Sequence, residues 1–205
     1  MNQINTIIFD LGGVLVDWNP RYLYRKLFET EEEIDYFLDN IATNDWNEGQ
    51  DAGRSLKDGT ELLLSNYPEE KWREAIKAYY GRWPEMLGGA IDDSVQILKH
   101  YTNSADFQVY ALTNWSAETW PIALREFDFL HWFEGVLVSG EEGMRKPAPE
   151  FYQLMMDRYN LKKSHCVFID DNERNVIAAR AFGIKSIHFQ NDGSLSEGLA
   201  TVVEK

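Results

Sequence analysis

The chain has 205 residues, of which 44% are hydrophobic and 14% aromatic, so a packed core is within reach and an intrinsically disordered chain is excluded. Asp and Glu outnumber Lys and Arg by 34 to 20, a formal charge of −14 that repels nucleic acid and anionic membrane, so neither is expected as a partner. The single cysteine, Cys166, forms no internal disulfide, and no apolar run reaches the length of a membrane span or signal segment. A reducing, cytoplasmic setting is expected.

The first element in chain order is residues 4–9, an apolar β-branched run without alternation, as suits a strand buried on both faces of a parallel sheet. Residues 20–88 then offer no strand candidate and four helical stretches, 20–28, 31–41, 55–67 and 68–83. In the last, Trp72, Ala75, Ile76, Tyr79 and Trp83 share one stripe, read as core packing. Between the second and third stretches lies a loop, Asp45-Trp46-Asn47-Glu48 and Asp51-Ala52-Gly53-Arg54.

From residue 89 onward helices and strands alternate: helix 91–101, strand 107–112, helix 117–127, strand 136–138, helix 147–159, strand 166–169, helix 173–182 and strand 184–189. Cys166 falls inside an apolar run, as a small buried hydrophobe does. The pattern predicts an α/β fold, a doubly wound parallel sheet formed by residues 1–19 and 89–205, with a helical cap over 20–88 inserted after strand one.

Each predicted strand end carries polar residues. Strand one runs into Asp10-Leu11-Gly12-Gly13, the next into Thr113-Asn114, and the fourth into Asp170-Asp171-Asn172; Lys146 precedes the helix after the third. Ligands of open parallel sheets bind outside the carboxyl ends of the strands, so these residues converge. Carboxylates brought together repel unless a proton or cation lies between them, and an oxygen-only set without His or Cys favours Mg²⁺. Thr113, Asn114 and Lys146 supply donors and a point charge of the kind that holds phosphate oxygens, and Asp10 is a candidate nucleophile. Taken singly, each piece also fits a turn, a helix cap or a solvated surface.

The four segments together resemble the signature of the haloacid dehalogenase superfamily, in its phosphatase branch with a small helical cap. FDLGGVLVDWNP is similar to motif one, ALTN to motif two, GMRKPAPEFY to motif three and FIDDNERNVIAARAFGI to motif four. The resemblance implies that Asp10 is nucleophile and metal ligand, with the Gly12 carbonyl and Asp171 as further ligands to Mg²⁺ and Asp170 a closer or helper. It implies phosphoryl binding by Thr113 and Asn114, and pairing of Lys146 with Asp10 and phosphate. The expected substrate is a small phosphorylated metabolite, such as a sugar phosphate.

The pattern departs from that branch at Gly12, where most of its phosphatases carry an acid that protonates the leaving group. Some bacterial glucose-1-phosphatase-like enzymes share this glycine. A steep dependence on leaving-group acidity is expected, unless a cap residue or water replaces the acid. Two alternatives stand beside the phosphatase. In the metal-independent 2-haloacid dehalogenases, small and amide residues replace the paired acids present here as Asp170-Asp171; the other is an inactive phosphate-binding protein, suggested by Gly12. Substrate choice is expected from the cap loop, with Trp46 and Arg54 as its candidate determinants, Trp46 stacking on a sugar face or buried at a helix end.

Overall fold

The structure is a computed structural model that describes residues 3–203. Strand β1 (Thr6–Phe9) has every side chain buried. It lies at the centre of a five-stranded sheet of order β5-β4-β1-β6-β7, in which β4 is Gln108–Thr113, β5 Gly135–Val138, β6 Cys166–Asp170 and β7 Lys185–His188. All neighbouring pairs are parallel, with Ile8 opposite Tyr110 on one side and Phe168 on the other.

The unalternating apolar runs follow from this burial. Ile7 and Phe9 face one core with helix α6 (Asp92–Thr102), whereas Ile8, one residue on, faces a second core with α9 (Pro149–Arg158) and α10 (Glu173–Phe182). A strand with helices on both faces has no solvent side to be polar on. Cys166 is fully buried there, its thiol pushed up to about 12 by burial, as an inert core residue.

Helices α1 (Arg21–Tyr24), α2 (Glu31–Asn40), α3 (Asn44–Asp51), α4 (Leu56–Asn66) and α5 (Glu70–Gly81) occupy the segment between β1 and α6. The aromatic stripe of α5 packs inward: Ile76 and Tyr79 are buried, and Tyr79 meets Tyr24 of α1 with ring centroids 6.3 Å apart. The hydroxyls of Thr30, Thr43 and Ser55 each accept one free backbone N–H of the first turn of α2, α3 and α4, from Glu33, Trp46 and Asp58.

Three expectations are corrected here. The segment after strand one does contain strands: β2 (Val16–Trp18) pairs antiparallel with β3 (Leu87–Ala90), one on each side of the helical segment. Three- and four-residue strands, one of them Leu-Gly-Gly-Ala, are too short to carry a period. The expected loop at 45–54 is largely helix α3, opened by the Thr43 cap, because packing overrides the weak propensities of Asn, Asp and Gly. Helix α7 (Trp120–Glu126) starts later than expected, with Pro121 in its first turn. Two more helices, α8 (Ser139–Glu142) and α11 (Leu195–Val203), lay outside the sequence reading.

Candidate active site

The carboxyl ends of β1, β4 and β6 meet at one edge of the sheet. Asp10 follows β1 directly, its backbone N–H still bonded to Ile169 O at 2.8 Å, while its own Oδ1 accepts the N–H of Leu11 at 2.7 Å. Asp170 ends β6 and Asp171 follows it. One carboxylate oxygen from each of Asp10, Asp170 and Asp171 lies within 4.8 Å of the others.

Lys146 enters this cluster from the loop between α8 and α9. Its Nζ lies 2.8 Å from Asp10 Oδ2 and 2.7 Å from Asp170 Oδ2, with no part of the residue exposed. Burial works against the ammonium, but the two carboxylates outweigh it and hold its pKa above the ordinary lysine value. Asp10 is pushed well above the carboxylate range by burial; Lys146 opposes the shift and the charges of Asp170 and Asp171 add to it. Asp171 shifts upward as well, from partial burial of its carboxylate and then from Asp170. One ammonium among three carboxylates leaves negative charge uncompensated, a condition that a bound cation relieves.

The donor set fits a hard divalent cation and identifies which oxygens are free for it. Asp170 is saturated: Lys146 takes Oδ2, the Asn172 N–H donates to Oδ1 at 2.8 Å, and Asn175 Nδ2 lies 3.1 Å from both oxygens. Asp10 has a single partner on each oxygen, the Leu11 N–H on Oδ1 and Lys146 on Oδ2, which leaves it lone pairs for a metal, and the exposed Asp171 is the more open of the two. Gly12 sits at the same edge, and no side chain intrudes there.

Thr113, Asn114 and Lys146 converge as expected, with one difference in how they are used. The Asn114 side chain clasps the backbone of Lys146, donating from Nδ2 to its carbonyl at 3.0 Å and accepting its N–H on Oδ1 at 2.9 Å. Asn114 thereby fixes the lysine in place. Thr113 Oγ1 and, two residues on, Trp115 Nε1 are buried without a hydrogen-bond partner. Buried donors left unpaired are costly, and here they lie at the strand end where a ligand would meet them.

Beside this edge opens a cleft walled by Gly12 and Asn114 from the sheet, by Trp18, Trp83 and Trp115, and by Asn47, Asp51 and Tyr80. Trp46 and Arg54, the expected determinants of substrate choice, are not in its wall, and of the two readings of Trp46 the structure shows the buried one. Trp46 is buried and its Nε1 donates to Gly59 O at 2.9 Å; Arg54 donates to Gln50 Oε1 at 2.5 Å and to Trp46 O at 2.6 Å. Trp46 ties α3 to α4, and Arg54 folds the chain after α3 back onto that helix. Asn47, three residues before Gln50, and Asp51 are the side chains of that helix that reach the cleft.

Sequence reasoning also passed over Glu48, which pairs with both Arg145 and Arg174. These arginines follow β5 and open α10, so the bridge ties α3 to the sheet edge that carries the carboxylates. Its partners stand 97 and 126 residues away in the chain, and no local pattern signals such a contact.

Comparisons with known proteins place the chain in a family. The family model for the haloacid dehalogenase-like hydrolases matches residues 4–183. A sesquiterpene phosphatase of Aspergillus oryzae is 30% identical over 199 residues, covering 96% of this chain and 92% of the relative. A phosphorylated carbohydrates phosphatase of Thermotoga maritima is 24% identical, covering 98% and 94%. A solved haloacid dehalogenase family enzyme of Bacteroides thetaiotaomicron, a magnesium complex, superposes with a TM-score of 0.75 at 20% identity over 97% of this chain and 99% of that one. The chain belongs to the haloacid dehalogenase-like hydrolases.

Proposed function

We propose that this member of the haloacid dehalogenase-like hydrolases is a Mg²⁺-dependent phosphatase that hydrolyses a small organic phosphate through a phosphorylated Asp10. The observation that carries the reading is the buried Lys146 set between Asp10 and Asp170, with Asp171 completing a carboxylate triad. That arrangement sets one ammonium beside the proposed nucleophile and leaves net negative charge for a bound cation to offset. The phosphatase names of two relatives agree with it.

Asp10 and Asp171, with the Gly12 carbonyl, would hold Mg²⁺, and the ion would neutralise charge on the phosphoryl oxygens. The remaining work falls to this chain. A carboxylate oxygen of Asp10 attacks phosphorus; Lys146 keeps that carboxylate oriented and screens it from the incoming phosphate dianion. Thr113 Oγ1, otherwise unpaired, donates to a phosphoryl oxygen, and Asn114 keeps Lys146 in register. Water then attacks the same phosphorus and releases Asp10.

The cleft next to Gly12 receives the leaving group. Its enclosed volume of about 80 Å³ admits a small group, and a larger leaving group would extend through the open mouth. Three tryptophan faces with Asn47 and Asp51 among them favour a sugar or similar ring that is apolar on its faces and polar at its edge. A panel of phosphorylated metabolites incubated with and without Mg²⁺, read as phosphate release, tests the reading. Release from no phosphate ester in the presence of Mg²⁺ would overturn it.

A further inference from the structure

The leaving group needs a proton, and position 12, next to the phosphoryl site, carries no side chain to give it. Across the cleft stands a carboxyl group with no other evident task. Asp51 is the last residue of α3 and shares the cleft wall with Gly12 and Asn114. Its position is enforced. Glu48, one turn earlier, is gripped by Arg145 and Arg174. Two residues later Gly53 runs so close to α8 that a β-carbon on it would touch the Gly143 Cα at 3.4 Å and the Gly140 carbonyl at 3.5 Å. The end of α3 is thus pressed against the sheet edge from both sides of Asp51.

We propose that Asp51 is the catalytic acid and base of this enzyme, delivered by α3 in place of the side chain absent at Gly12. The assignment rests on the phosphatase reading. In the first step an Asp10 oxygen bonds to phosphorus as the ester P–O bond breaks, and the Asp51 carboxyl proton moves to the departing oxygen, giving the alcohol and the Asp51 carboxylate. In the second step that carboxylate takes a proton from water as the water oxygen bonds to phosphorus. The Asp10–phosphorus bond breaks, phosphate leaves, and Asp51 is protonated again.

The surroundings of Asp51 suit both roles. Its one hydrogen bond is a long one, 3.3 Å from Asn47 Nδ2 to Oδ2, so its proton is not committed to another group. Arg145, whose charge acts on Asp51, pairs with Glu48. Burial raises the carboxyl to about 7, Glu48 raising it further while Arg145 and Lys146 pull it down; Tyr79 and Tyr80 of α5 also face it. A group titrating near neutrality is well matched to give a proton in one step and accept it in the next.

The test uses the full-length enzyme with Mg²⁺ on two esters, para-nitrophenyl phosphate and an alkyl phosphate such as a sugar 6-phosphate. Asp51→Asn should lower kcat/KM for the alkyl ester by about 10²–10³-fold, within the range expected for a lost general acid, and that for the aryl ester by less than about tenfold. The fall in wild-type alkyl-ester activity above pH 7 should vanish in Asp51→Asn, and Asp51→Glu should recover part of the loss. Melting curves of the Asn, Glu and Ala variants establish that each is folded. Equal losses on both esters, or an alkyl-ester pH profile the same in wild type and Asp51→Asn, would overturn the assignment. If the wild type hydrolyses neither ester with Mg²⁺, the phosphatase reading fails first and takes the Asp51 role with it.

Discussion

The space that a β-carbon on residue 13 would fill is occupied by the carboxylate of Asp171. Gly13 also has φ of +75°, in the left-handed region that L side chains rarely adopt. The second glycine after the proposed nucleophile therefore lets the loop after β1 and the loop after β6 close on each other, so that Asp10 and Asp171 come within reach of one ion. Gly13→Ala should push Asp171 away and cost about 1 kcal/mol in backbone strain. The expected results are an approximately tenfold higher Mg²⁺ concentration for half-maximal activity and a melting temperature lower by about 2–4 °C. A metal titration and a melting curve check both; unchanged values would mean that the two loops do not depend on this contact.

Asp10→Asn should lower turnover by at least about a thousandfold, because it removes the attacking oxygen's charge without removing a core contact. The variant should melt no lower than the wild type, since the carboxylate it replaces is one that burial disfavours. Hydrolysis of para-nitrophenyl phosphate at a tenth of the wild-type rate would mean that another group is the nucleophile.

Chelation should silence the enzyme and Mg²⁺ restore it, and Asp171→Asn should weaken the metal requirement's midpoint more than Asp170→Asn. The difference follows from saturation: Asp170 is engaged by Lys146, Asn172 and Asn175, whereas Asp171 is open. Asp170→Asn should instead disturb Lys146 and show mainly in kcat. Full activity in chelator would return the metal-independent dehalogenase to consideration, and chloride release from 2-chloropropionate would then be the decisive assay.

What the sequence made legible was set by range. Residues 4–9, 107–112 and 166–169 declared themselves because strands buried on both faces must be apolar throughout, and the polar residue ending each run marked the sheet edge. Asp10, Lys146, Thr113, Asn114 and Asp171 could be grouped because topology carries strand ends to one place. The β2–β3 ribbon was too short to have a pattern. The Glu48 bridge and the placement of Asp51 depend on how α3 sits against the sheet, which the spacing within α3 does not encode. For Trp46 a stacking surface and a buried helix-end position were both open, and only the packing of its ring, with a bond to Gly59 O, selects the second.

Trp46 and Arg54 should therefore act on stability and not on choice of substrate. Trp46→Ala removes a buried indole and is expected to cost about 3–5 kcal/mol. Arg54→Ala should lower the melting temperature and reduce activity on all phosphates alike, through loosening of α3. Asn47→Ala, in the cleft wall, should alter relative kcat/KM among sugar phosphates while sparing para-nitrophenyl phosphate. The comparison needs one substrate panel and three variants. Substrate-dependent changes from Trp46 or Arg54 that exceed those from Asn47 would show that the cleft lies elsewhere.

The strongest link between Gly12 and Asp51 is a rescue. An ideal β-carbon on Gly12 meets nothing nearer than the Trp115 ring edge at 3.9 Å, and the residue's φ is outside the left-handed region, so a side chain at position 12 is accommodated. An aspartate there would begin on the sheet side of the same cleft that Asp51 faces from α3. If the two positions serve one proton, the second acid is redundant in the wild type and valuable only when the first is gone. Gly12→Asp alone should change alkyl phosphate hydrolysis little, by less than about threefold. Placed in Asp51→Asn, it should recover roughly tenfold or more of the activity lost on alkyl esters, with a small effect on para-nitrophenyl phosphate, whose leaving group needs no proton. Non-additivity of this sign is expected of residues that act on one step and not of independent sites. Strictly additive effects in the double variant, on both esters, would separate the two positions and leave the proton to an ordered water.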